Sequence, residues 1–112
     1  MSGRTDTGTA VHAVVSHLHF KEPVDTDLFR RAEMEAGEQM KSVTGFRGLR
    51  VVLASERHVI LVIFGDTAQT LDDLATLVGN TWMRTNVAPF LERPPERHLG
   101  AVIASVGAAG GD

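Results

Sequence analysis

The sequence predicts an α+β domain of ferredoxin-like topology, a four-stranded antiparallel sheet with helices on one face and a second copy of the chain packed sheet-to-sheet on the other, as a homodimeric barrel. Three observations lead there. Strand-like and helix-like patterns follow one another as strand, helix, strand, strand, helix, strand, which is the split βαβ arrangement. Two of the strand segments, Phe46 to Ala54 and His58 to Phe64, are separated only by the polar turn Ser55-Glu56-Arg57, which is hairpin spacing. The second of them reads HVILVIF and is apolar on both faces, whereas an antiparallel strand with one wet face alternates apolar and polar residues.

Composition narrows the classes. A chain of 112 residues has room for one hydrophobic core and not for two. Hydrophobic residues make up 43% and charged residues 22%, the balance of a globular chain that folds. The formal net charge of −3 leaves no excess of cations to neutralise phosphates, so nucleic acid is not an expected partner. Cysteine is absent, which removes disulfides, thiolate metal sites and cysteine nucleophiles and makes the cytoplasm the expected compartment. No stretch has the roughly 18 consecutive apolar residues that a membrane helix needs, so no membrane partner is expected either. Residues 1–10 and 107–112 are rich in glycine and small polar residues and are expected to be flexible tails around a domain spanning 11–106.

The first strand, Val11 to Phe20, is rich in β-branched and aromatic residues. Its two-residue repeat puts Val11, Ala13, Val15, His17 and His19 on one face and His12, Val14, Ser16, Leu18 and Phe20 on the other. After Pro23, Asp25 or Thr26 can cap a helix running from Asp27 to about Lys41. Its apolar stripe is Leu28, Ala32, Ala36, Met40 and Val43, and Gly45 stands just beyond its end. Glu33, Glu35, Glu38 and Lys41 fall off the stripe and form a solvated face. The strand hairpin follows. A second helix starts after Gly65-Asp66-Thr67, with Leu71, Leu74, Ala75, Leu77 and Val78 as its buried stripe, and is expected to break at Gly79-Asn80. A further short helix through Thr81 to Leu91 is bent or ended near Pro89, and Glu92 to Arg97 forms a stiff crossing into a last strand, Leu99 to Val106. Right-handed crossovers then place both helical segments on one side of the sheet and leave an apolar patch on the other, larger than soluble monomers usually expose. A twin subunit is the simplest cover.

The apolar first strand, the Thr44-Gly45-Phe46-Arg47-Gly48 turn, the stretch from Trp82 to Leu91 (WMRTNVAPFL) and the Pro95-Glu96-Arg97 run resemble the dimeric α+β barrel superfamily, and within it the antibiotic biosynthesis monooxygenase-like domains. The resemblance covers about residues 11–105. It implies a substrate held between sheet and helices, and relatives that oxidise aromatic polyketides with molecular oxygen and neither metal nor flavin; no cofactor is expected. Trp82 falls where such domains often place a cavity-lining aromatic. Haem-degrading relatives pair a first-strand Asn and a helical Trp with a helical His; here the first strand has no Asn, and no His follows Trp82 until His98.

Five residues are the candidates for chemistry. His17 and His19 could orient or deprotonate an acidic phenol, an unperturbed histidine titrating near pH 6.5, or they end a strand in solvent. Neither belongs to a spacing that fixes a metal ligand set. Trp82, the single Trp, either stacks on a planar ligand or anchors helix to sheet. Asn86, four residues on, would share its helix face, so that amide and indole could converge on one carbonyl, or it is a surface residue. Arg50 is the charge within the apolar part of the second strand, placed with Phe46 and Val52. It either meets a carboxylate of the dimer mate or an anionic substrate, or holds its head group in water at a sheet edge. His58 and His98 flank turns and are expected in solvent. The function expected is a monooxygenase-like activity on a small aromatic or phenolic substrate, the alternative a non-catalytic dimeric binding or scaffold domain.

Overall fold

Asp25 starts the first helix in the computed structural model, which describes residues 11–106; the flexible tails expected at 1–10 and 107–112 lie outside the described residues. Its carboxylate accepts the Asp27 backbone N–H at 3.0 Å and caps α1, Thr26–Lys41, which buries Leu28, Ala36 and Met40. Before it runs β1, His12–His19, and after it come β2, Phe46–Ser55, and β3, His58–Gly65. The last strand, β4, spans Glu96–Ala101. The sheet order is β2-β3-β1-β4 and the pairs β1–β3, β1–β4 and β2–β3 are antiparallel, which is the ferredoxin-like order.

Register decides which side chains share a face. Val14, Ser16 and Leu18 of β1 lie opposite Ile63, Leu61 and Val59 of β3, and this set faces the helices. A bulge between Phe46 and Gly48 interrupts the alternation of β2, with Gly48 at φ +147°. Phe46 therefore packs against the core, while Arg50, opposite Val62, lies on the helix-free face; the shared face expected for Phe46 and Arg50 does not form.

Thr67 caps α2, Ala68–Leu74, by accepting the Thr70 N–H at 3.0 Å. The expected break at Gly79-Asn80 is absent. The helix instead continues as a wide, π-helical segment, Ala75–Met83, and then as α3, Arg84–Asn86, before a 3₁₀ turn at Ala88–Phe90. The reason lies in the buried positions Leu71, Leu74, Val78, Trp82 and Val87, whose spacings of three, four, four and five drift off a 3.6-residue repeat. Wider winding keeps them on one side. Gly79 does not stop the helix, and a Cβ there would meet nothing within 4 Å.

Strand β4 begins earlier than expected and ends sooner. Glu96 pairs with His17 and Ala101 with His12, where β1 itself begins, so the ladder has no partner beyond a last bond from Val102 N–H to the Val11 carbonyl at 2.8 Å. Ile103 and Val106, expected within the strand, are instead 95% and 98% exposed.

Gly45 has a positive φ of +93°, and a Cβ there would come within 2.6 Å of Thr70 Oγ1. Gly45→Ala should therefore destabilise the fold by more than about 1 kcal/mol, whereas Gly79→Ala should be neutral or stabilising. Urea unfolding of the two variants checks this, and equal midpoints would contradict it.

Candidate active site

Between the sheet and the helices lies a cavity of about 400 Å³. Val14, Ser16, Leu18 and Leu61 form part of its floor; Phe29, Met40, Leu74 and Trp82 stand over it from the helices. That volume is at the small end of the range for organic-ligand pockets. Its described lining includes no Asp, Glu or His, and its charged residues are Arg84 and Arg97.

Trp82 is buried and lines this cavity, placed there by the wide winding of its helix. Its indole N–H is already engaged, donating to Glu35 Oε1 at 2.8 Å. Glu35, assigned from its position to a solvated face, thus joins α1 to the second helical segment. The Asn86 amide donates to the Trp82 carbonyl at 3.0 Å and is not among the cavity-lining residues. The indole N–H and one N–H of the Asn86 amide are thus engaged within the protein, and the expected convergence of the two on one bound carbonyl does not form. Arg50 is exposed on the edge strand β2, its Nη1 donating to the Leu49 carbonyl at 2.9 Å, on the side of the sheet away from the cavity.

His17 and His19 also point away from the cavity. They occupy the helix-free face with His58 and His98, because the register pairs His17 with Ile60 and Glu96, His19 with His58, and Val15 with His98. The sheet separates them from Trp82, which removes the expected role of deprotonating a ligand beside that ring. The four rings form a cluster. His17 Nδ1 lies 2.9 Å from His58 Nε2, a hydrogen bond that needs one proton between the two nitrogens. The His19 and His58 rings stack at 4.4 Å, His98 meets His17 edge-on at 6.5 Å, and His19 Nε2 is 3.8 Å from Glu96 Oε1. The rings stack and tilt against one another, and among the described residues no group of three His, Asp or Glu is placed to hold a metal ion.

Two features were missed in the sequence. Ser16 stands alone as a polar residue between Val14 and Leu18 on an apolar strand face, which was the available signal. Arg97 was assigned to a crossing segment, and only the β4 register places it opposite Ser16.

No protein-family model matches the sequence, and no curated protein matches it. Solved structures do share the fold. A Nitrosomonas europaea protein provisionally named an antibiotic biosynthesis monooxygenase superposes with a TM-score of 0.70 at 13% identity, over 93% of this chain and 100% of that one. The monooxygenase ActVA-Orf6 of Streptomyces coelicolor, solved with nanaomycin D, gives 0.69 at 17% identity over 90% and 94%. SnoaB, a cofactor-independent oxygenase from Streptomyces nogalater, gives 0.68 at 8% identity over 87% and 97%. The chain thus has the ferredoxin-like α+β fold of the antibiotic biosynthesis monooxygenase-like proteins.

Partial loss of water around its ring, then the neighbouring His19 and His17, lower the His58 pKa from its ordinary 6.5; Arg93 adds to this and Glu96 opposes it. As pH falls below about 6.5 the unfolded chain takes up a proton here that the folded chain resists. This contribution to stability is therefore whole above that pH and declines beneath it. Melting temperature should fall between about pH 7.5 and about pH 5.5, and His58→Gln should flatten the slope. A wild-type curve with no slope in that window would exclude this coupling.

Proposed function

We propose that this chain is a homodimeric, cofactor-independent monooxygenase-like protein of the cytoplasm that binds a small aromatic or phenolic substrate between sheet and helices. The observation that carries the reading is the apolar cavity of about 400 Å³ with Trp82 among its lining residues, in a fold shared with two oxygenases. A planar hydrocarbon fits such a lining, and stacking on an indole adds to the burial.

The cavity lining has no carboxylate or imidazole to act as a base, so the substrate must ionise easily. An electron-rich phenolate supplies the electrons itself. One atom of O₂ enters the ring and the other leaves as water, so that phenol and O₂ give quinone and water with no outside reductant. The same lack of a base favours a second reading, a non-catalytic domain that holds an aromatic ligand on the same fold.

Oxygen uptake with a panel of hydroxylated polycyclic aromatics separates the two. Uptake should occur, Trp82→Phe should retain part of it, and Trp82→Ala should lower kcat/KM by at least about tenfold, the loss of roughly 1.4 kcal/mol in the transition state. The double substitution of His17 and His19 by Ala should leave chemistry within one subunit's cavity unchanged. Ligand binding with no uptake from any member of the panel would leave the binding-domain reading standing.

Support for the dimer comes from the helix-free face, where Val15, Ile60, Val62 and Phe64 are only half-buried and Val52 is exposed, and from the exposed Ile103 and Val106 beyond β4. Light scattering at micromolar concentration should give twice the 12.1 kDa of one chain. A stable monomer would contradict it.

A further inference from the structure

We propose that Ser16 and Arg97 form an anion-recognising pole in the cavity, and that the ligand is an aromatic molecule carrying one anionic oxygen, as a carboxylate or an ionised phenol. This deepens the reading of the cavity as a ligand site and rests on it. The first observation is Ser16. Its residue is 8% exposed, it lines the cavity, and its hydroxyl makes no hydrogen bond with the described residues. Buried hydroxyls are almost always partnered, and one left unpaired beside open space marks a place where a bound molecule can complete the hydrogen bond.

The second observation is independent. Arg97 lies directly across the β1–β4 ladder from Ser16, lines the same cavity, and forms no ion pair with the described residues. Arg30, Arg47 and Arg93 each meet a carboxylate of Asp27, Asp66 and Glu92 respectively, whereas the two cavity-lining arginines, Arg84 and Arg97, meet none among the described residues, and of these two Arg97 is the one paired with Ser16. With no Asp or Glu in the cavity lining, the negative charge has to arrive with the ligand. Cross-strand partners on one face hold their side chains as neighbours, so hydroxyl and guanidinium can donate to one oxyanion. An oxyanion held there leaves its aromatic body among Val14, Leu18, Phe29 and Trp82. The pole also favours the ionised form of a phenol, supplying electrostatically what a missing base would otherwise do.

The test uses the quenching of tryptophan fluorescence in the full chain, whose only Trp is Trp82. Naphthoate should bind at least about tenfold more tightly than the uncharged, similarly shaped naphthamide, as a charge-assisted contact implies. Naphthol, followed through its own ionisation, gives the phenolate arm and tells the two anion sources apart. Arg97→Gln should abolish the preference for charge while naphthamide affinity holds. Arg84→Gln, at the other cavity-lining arginine, should keep the preference. Ser16→Ala should weaken naphthoate alone and should not lower the melting temperature, whereas a hydroxyl with a structural role would cost stability when removed.

Equal affinity for charged and uncharged ligands, with quenching by both, would overturn the anion pole and leave the cavity as a ligand site. A preference that disappears with Arg84→Gln and survives Arg97→Gln would overturn it equally. Quenching by neither ligand would remove the cavity as a ligand site and the pole with it.

Discussion

The two-residue repeat of β1 is the constraint on which the rest of the molecule depends. Flanked on both sides by β3 and β4, this strand cannot shift by one residue without turning Val14 and Leu18 out of the core and His17 and His19 into it. Burying two imidazoles among Leu61, Leu71 and Leu74 would cost far more than any local contact could return. Hydrophobicity thus fixes the register, and the register then sends the Ser16 hydroxyl toward the helices and the His17 and His19 imidazoles toward the far face.

The same alternation explains what was legible in the sequence. Residue patterns along Val11 to Phe20, Phe46 to Ala54 and His58 to Phe64 identify the strands, and the stripe from Leu28 to Met40 with Asp25 before it identifies α1, because each depends on neighbours close in the chain. The grouping of His17 with His19 was legible too. Which way they faced was not, since that depends on where the helices pack, and helix packing is tertiary.

Other differences have the same origin. The bulge that turns Phe46 inward involves pairing with β3 some twenty residues away, and no feature of the Phe46 to Arg50 segment except Gly48 announces it. The limits of β4 are set by the start of β1 at the opposite end of the chain. Gly79 looked like a helix stop because glycine usually carries that meaning, yet the five buried positions from Leu71 to Val87 outweigh a propensity cost of about 1 kcal/mol. Which apolar residues of this stretch are buried depends on packing against the sheet, and Leu77, expected in the buried stripe, is 36% exposed.

The division made by β1 also bears on how the proposed oxygenase chemistry could work. A base inside an apolar cavity would need its own charge partner, and an isolated ionised carboxylate there would take up a proton and lose its function. A cation near the cavity's edge is less costly, because arginine can keep part of its head group in water. Arg97 is exposed at its backbone strand yet reaches the lining, which suits that compromise. Stabilising the ionised substrate where it lies achieves what a base would achieve, and it does so without placing a titrating group beside an intermediate that must be kept from stray protons. On this argument the lack of acids and histidines in the cavity lining is compatible with catalysis and limits it to substrates that are already acidic.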